Sequence, residues 1–495
     1  MDRITDVWPR ELSPGRAAGG RTTRHFPPAP PRKVVGVHPV HVSRDLESSP
    51  LSTPREKIPH FSLRTQRRPM PLRRRLLGLS GGLRRSLATA AAHPPWAMIN
   101  RSVEFVGAAS ADVRLASPPH VSELCVPERL VKTRGSPGPD GDVVQSPAGS
   151  VSAASGDGLL LLSCLDLRFV APGAARVRQH LYGLDPTHVP SVTRFVCNPL
   201  TRELRRLPDS GSDPEADVLC GPNMGLLTQA DRGHGPPGKF AVADLQEGNH
   251  MLRFLSETGK WENVALSPCQ VPLARPMDID QEALAFGGRL WWVDLAWGAI
   301  SSDPFSDRPE LSFVELPRGS VLPAGVQHEA FRRGSPLRDA QGRVWWEQAP
   351  VSYRRMGVSE GRLRYVEVSQ GEPFSLSSFV LDDEGSGWTL EHRVVLNKLW
   401  GSTMGLPLQE RGSTRIVLID PLNANVVYLT AHRIAVVAVD MDRQEVIGCY
   451  PYRNDLCMPC VLPPWLRSTR IPSAGKKYVE KNKTLADVLV RSHSH

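Results

Sequence analysis

The stretch Phe195-Val-Cys-Asn-Pro-Leu-Thr-Arg-Glu-Leu-Arg-Arg-Leu-Pro208 decides the fold. It is a short apolar strand, a polar turn and a second strand closing on Leu-Pro. Asn and Asp accept bonds from the backbone that follows them, and Pro presets φ at the first turn corner, so the centre of the stretch reads as a hairpin turn. The unit recurs at Leu252 to Pro268, Ala299 to Pro317, Ser378 to Val395, Ile416 to Thr430 and Val436 to Tyr450, six hairpins in all. Their turns carry Glu257-Thr-Gly, Asp303-Pro, Asp382-Asp, Asp420-Pro and Asp440-Met.

The flanking runs are rich in Val, Ile, Leu, Phe and Trp and have strand lengths. Further strands fit between them at Gly158–Ser163, Lys239–Ala243, Gly288–Val293, Gly342–Trp346 and Arg362–Val368. A repeat of about four strands per unit predicts an all-β, propeller-like array of antiparallel hairpin blades, about six in number. A β-sandwich or two all-β domains would give similar strands. The spacing is uneven, with a long gap from Pro304 to Asp382 and a short one from Asp420 to Asp440. The last two hairpins can therefore share a blade, and Gln341–Glu347 can begin another.

Four segments are expected. Residues 1–69 are Pro- and Arg-rich without an apolar period and read as disordered, outside the product if translation starts at Met70. Residues 70–93 form a basic amphipathic leader, residues 94–465 the all-β domain, and residues 466–495 a basic tail that is a short helix or disordered. Gly135 to Gly149 reads as a Gly/Pro/Asp linker.

The chain of 495 residues carries a net charge of +9, but the charge is unevenly placed. Residues 1–100 hold 18 Lys and Arg against 6 Asp and Glu, leaving 42 against 45 in the remainder. A domain that grips nucleic acid concentrates its cations in the folded body, so nucleic acid is not an expected partner. No apolar run is long enough to span a bilayer as a helix.

Lys57 to Val103 contains ten Lys or Arg and no acidic residue. Leu72, Leu76, Leu79, Leu83 and Leu87 line one helical face among Arg73, Arg74, Arg75, Arg84 and Arg85. This resembles a plant-type mitochondrial presequence with a processing-like Arg85-Ser-Leu-Ala-Thr, which would start the mature chain at Ala88. The expected location is the mitochondrion. A basic linker in the cytoplasm, or a nuclear signal at Arg73–Arg75, is the alternative.

Candidate chemistry is sparse. The eight cysteines are scattered, and Cys457-Met-Pro-Cys460 lacks a second ligand pair, so they read as structural thiols. Gly156-Asp-Gly158 is not a dinucleotide fingerprint, and there is no HExxH or G-x-S-x-G motif. Catalytic, cofactor-binding and metal residues are therefore assigned to none. In Trp291-Trp292 and Trp345-Trp346, neighbours on a strand point to opposite faces, so one Trp of each pair is expected to pack between sheets. Asp294 is a candidate polar group at a propeller mouth, whereas Asp303 reads as a turn residue.

Trp291-Trp-Val-Asp-Leu-Ala-Trp-Gly-Ala-Ile-Ser-Ser-Asp-Pro-Phe305, continuing to Phe313-Val-Glu-Leu-Pro317, resembles the signature of the grass-expanded domain of unknown function 1618 family. Pro94-Pro-Trp-Ala-Met-Ile99, Ala154-Ser-Gly-Asp-Gly-Leu-Leu-Leu161 and Asn198-Pro-Leu-Thr-Arg202 extend the likeness over most of residues 94–460. The resemblance implies a plant source and an architecture, and it carries no catalytic residues. The Asn198 hairpin is also similar to one in propeller-like domains that follow F-boxes, but residues 88–150 show no F-box. The expectation is a non-catalytic module with a protein partner. The alternative is a propeller-type hydrolase with a metal or carboxylate cluster in its central channel.

Overall fold

The computed structural model describes residues 93–131, 143–170, 183–184, 189–211, 223–230, 235–246, 249–267, 275–323, 350–403, 414–431, 435–451 and 456–473. The expected leader, the Gln341–Glu347 strand and the tail beyond residue 473 lie outside them.

The chain opens with β1 (Trp96–Val106), β2 (Asp112–Arg114) and β3 (Val121–Pro127). It continues with β4 (Val143–Ala154), β5 (Leu160–Val170), the two-residue β6 (Gly183–Leu184), β7 (Val192–Asn198) and β8 (Glu203–Arg206). Then come four meanders. The first is β9 (Gly225–Ala230), β10 (Pro237–Gln246), β11 (His250–Leu255) and β12 (Lys260–Ala265). The second is β13 (Leu284–Phe286), β14 (Arg289–Asp294), β15 (Gly298–Ser302) and β16 (Ser312–Glu315). The third is β17 (Arg354–Ser359), β18 (Arg362–Val368), β19 (Ser375–Leu381) and β20 (Trp388–Val395). The fourth is β21 (Ile416–Ile419), β22 (Val426–Ala431), β23 (Ala435–Asp440) and β24 (Glu445–Pro451), after which β25 (Cys457–Val461) ends the sheets.

Each meander is a separate four-stranded antiparallel sheet in sequence order. The remaining nine strands form one sheet, joined where Ser102 of β1 pairs with Ser150 of β4, and that sheet divides into two more blades. Blade 1 is β4, β5, β7 and β8; blades 2 to 5 are the four meanders; blade 6 runs β25, β1, β3, β2. The innermost strands β4, β9, β13, β17, β21 and β25 each lie against the next, and β25 returns to β4, so the six blades close a ring. The described residues thus form a six-bladed propeller.

Ring closure is made by the two ends of the domain. Trp96 to Asn100 pair antiparallel with Val461 to Cys457, and β1 pairs in parallel with β3. The Leu462 N–H donates to the Pro95 carbonyl at 2.7 Å, extending that seam. Past it the chain stays packed, with Leu466 and Ile471 buried against blade 1. The Asn198 amide donates to the Leu466 and Thr469 carbonyls at 2.8 and 3.0 Å.

The Asn and Asp turns work as their chemistry requires. Asn198, Asp303, Asp382, Asp420 and Asp440 each accept, through Oδ1, a following backbone N–H at 2.7–3.2 Å. All five turns follow a first or third strand of a blade, so they share the face on which the inner strands end. Ile416–Thr430 and Val436–Tyr450 turn out to be one blade, β21 to β24. Blade 6 matches none of the six sequence hairpins. Residues Val143–Gly149, read as linker, are instead the first half of β4.

Blades are sandwiched between neighbours, so their middle strands bury both faces. β22 and β23 are buried at every position. In β14 both tryptophans are internal rather than one: Trp291 packs in the core shared with blade 4, Trp292 in the core shared with blade 2. Their indole N–H groups donate to the Phe286 and Asn223 carbonyls at 3.1 and 3.0 Å. Core packing thus accounts for both rings.

Candidate functional site

Successive strands of a blade alternate in direction, so the second-to-third strand turns and the segments leading to the next blade share one face. On that face Asp280 and Glu282 lead into β13, Arg354 and Arg355 open β17, and Arg101 occupies β1 just beyond its pairing with β25. The Arg101 Nη1 lies 3.3 Å from the Glu282 Oε2, and the Arg355 Nη2 donates to the Glu282 Oε1. Arg101 also donates through Nε to the Val151 carbonyl of blade 1 at 3.4 Å. Blade 6, which carries Arg101, stands opposite blade 3 in a ring of six, so the Arg101–Glu282 contact runs across the axial channel.

Burial opposes ionisation of Glu282, and the Arg355 and Arg101 guanidiniums outweigh it, holding the carboxyl below the usual range. Two cations on one carboxylate leave this cluster net positive but internally paired. Beside it, Gln281 clasps β17 through its side chain, donating to the Met356 carbonyl at 2.8 Å and accepting the Met356 N–H at 2.9 Å.

A second polar group surrounds the β14–β15 turn. Asp294 accepts the Ala296 and Asp278 N–H groups at 2.8 and 3.1 Å, and Asp280 accepts the Leu295 N–H at 3.0 Å. Arg354 donates to the Leu295 carbonyl at 2.8 Å and lies 3.7 Å from Glu367, which accepts the Tyr365 hydroxyl at 2.9 Å. Burial, reinforced by the Asp294 and Asp278 charges, pushes the Asp280 carboxyl up to about 8. These acids hold a turn. Asp294 is buried beneath the face rather than displayed at a mouth, and Asp303 is the turn residue the sequence indicates. Among the described residues no group of three or more His, Cys, Asp or Glu is arranged to hold a metal ion.

The CxxC segment forms β25. Cys457 and Cys460, three apart on a strand, face different cores, and burial raises the Cys460 thiol far above its ordinary value. Cys164 and Cys197 are pushed up to about 12 by burial. Such thiols are packing groups. Cys220, Cys269, Trp345 and Trp346 lie outside the described residues.

The channel residues escaped the sequence reading. Arg101 closes the acid-free stretch Lys57–Val103 in sequence but lies in β1, inside the domain. The one local signal was Arg354-Arg355 opening an otherwise apolar strand, since a cation there needs a buried partner.

Residues 292–428 match the family model described as "Protein of unknown function (DUF1618)". No curated protein matches the chain. Solved structures are similar at low identity. The propeller domain of Cps50 (Swd1) from Myceliophteria thermophila shares 9% identity over 53% of this chain and 81% of that one, with a TM-score of 0.26. YCF48 bound to D1 peptide shares 10% over 74% and 96%, with a TM-score of 0.28. AztD from Citrobacter koseri shares 10% over 65% and 74%, with a TM-score of 0.25. The blade assignment rests on this chain's own sheets.

Proposed function

We propose that this chain, which belongs to the DUF1618 family through residues 292–428, is a non-catalytic scaffold that binds a protein partner. The carrying observation is the Arg101–Glu282–Arg355 bridge. It spans the channel from opposite blades and uses both Glu282 oxygens, so these three charged groups are spent on joining the ring. Recognition then falls to the faces and the rim, where Leu390, Ile447 and Leu456 are among the exposed large apolar side chains. Among the described residues no helix is long and apolar enough to cross a membrane. The test is affinity capture of the full chain from its own tissue. A stoichiometric protein partner is expected, and repeated recovery of the chain alone would count against the scaffold.

We propose further that residues 70–87 direct the chain to mitochondria, where the partner would be met. The acid-free stretch and the leucine stripe set among arginines support this.

A further inference from the structure

A cleft of about 490 Å³ opens on the outer rim between blades 1 and 2. Its floor is Leu207 and Phe254, Gly259 lies on the blade 2 side, and Arg205 lines the blade 1 side. The rim is held in place from below, because the Trp261 indole donates to the Pro208 carbonyl at 2.8 Å.

The charges around the cleft leave one cation over. Arg206 pairs with Asp209 at 3.1 Å and Arg202 with Asp112 at 3.2 Å, while Glu203 accepts the Ile471 N–H at 3.2 Å. Among the described residues the Arg205 guanidinium makes no hydrogen bond or ion pair and feels Glu203 only through space. Partial burial of that charge without a bonded partner is unfavourable, and a bidentate carboxylate is the group that matches a guanidinium fork.

Among the described residues the backbone beside it is also open. β8 is the last strand of its sheet. The Leu207 N–H donates to the Arg194 carbonyl at 2.9 Å, and bonded pairs alternate along an antiparallel ladder. Arg205 therefore bonds inward to β7, while the N–H and C=O groups of Leu204 and Arg206 point outward. Arg205 and Leu207, two apart, project to the same side, toward blade 2.

We propose that this cleft binds an extended peptide that adds to the β8 edge, places an Asp or Glu carboxylate on Arg205, and sets an adjacent apolar side chain over Leu207 and Phe254. The proposal rests on the scaffold reading and gives its partner a chemistry. One uncompensated guanidinium calls for one negative charge, which favours a carboxylate over a dianionic phosphate. The edge strand calls for a backbone rather than a small molecule. The chain's own C-terminal tail, with Lys476, Lys477, Lys481 and Lys483, has the wrong sign.

The test uses the full chain and labelled nine-residue peptides of alternating Val and Ser with one central Glu, read by fluorescence anisotropy. The Gln twin should bind at least 10-fold more weakly and the phosphoserine twin no more tightly, and free glutamate should not compete. Arg205→Glu should lose 10-fold or more and Arg205→Lys part of that, each with an unchanged melting profile. Arg206→Pro, which removes an outward N–H from an edge strand, should weaken binding more than Arg206→Ala. Equal binding of the Glu and Gln twins, tighter binding of the phosphoserine twin, competition by free glutamate or indifference to Arg205→Glu would each overturn the proposal. Partners captured equally well by wild type and Arg205→Glu would leave the scaffold standing and remove the cleft. If no partner is captured but the peptides behave as expected, the scaffold reading falls and the cleft stands.

Discussion

Arg101 and Glu282 are 181 residues apart in sequence and 3.3 Å apart in space, one on blade 6 and the other leading into blade 3. Their contact crosses the axis of the ring, and Arg355 completes it from blade 4. Such a bridge couples blades that share no sheet.

Removing its central charge should therefore be costly. Glu282→Gln leaves two guanidiniums facing each other, and loss of one partner from a buried ionic group typically costs about 3–5 kcal/mol. Urea denaturation should show a loss of that order, and pairing Glu282→Gln with Arg355→Met should recover part of it. Unchanged stability of the single variant would mean that the axis is solvated.

Asp280 should make stability fall with rising pH. Its folded pKa, about 8, lies above the ordinary carboxyl value, so the folded protein holds a proton that the unfolded chain releases. The stabilising contribution is complete below about pH 4, declines as pH rises toward 8, and is gone above it. Thermal melts from pH 5 to 8.5 should show this decline in the wild type and a flatter profile in Asp280→Asn. Parallel profiles would exclude Asp280 as the source.

Gly158 should prove irreplaceable at the closing seam. It has φ +88°, and an added Cβ would lie 2.2 Å from the Val461 carbonyl oxygen, on the strand that closes the ring. Gly287, with φ +60° and nothing within 4 Å, supplies the comparison. Gly287→Ala should cost about 1–2 kcal/mol from backbone strain alone. Gly158→Ala should cost clearly more and should raise hydrogen exchange first at residues 96–100 and 457–461. Equal effects of the two substitutions would refute the close approach.

Import should depend on the arginines outside the domain. A fluorescent fusion starting at Met70 is expected in mitochondria with a new N-terminus near Ala88. Changing Arg73, Arg74, Arg75, Arg84 and Arg85 to Glu should abolish import, and deleting residues 1–69 should improve it. A diffuse signal with an intact Met70 terminus would show the segment to be a basic linker.

Local chemistry made the hairpins legible in the sequence. Asp303, Asp420 and Asp440 bond to backbone within three residues, so their turns are set by neighbours, and the alternation of Trp291 and Trp292 followed from strand geometry. Family likeness was equally local, carried by the segment that begins at Trp291. Six blades agree with the repeat, but not blade by blade: the last two hairpins share blade 5, as their short spacing allows, and the blade built from both ends of the domain has no hairpin of its own among the six. Tertiary structure alone decided that blade, since Trp96 meets Val461 only when the whole ring has formed. It decided the site as well. Arg101, Glu282 and Arg355 have no common spacing, and what joins them is the burial of a carboxylate that must find cations wherever the closed ring brings them.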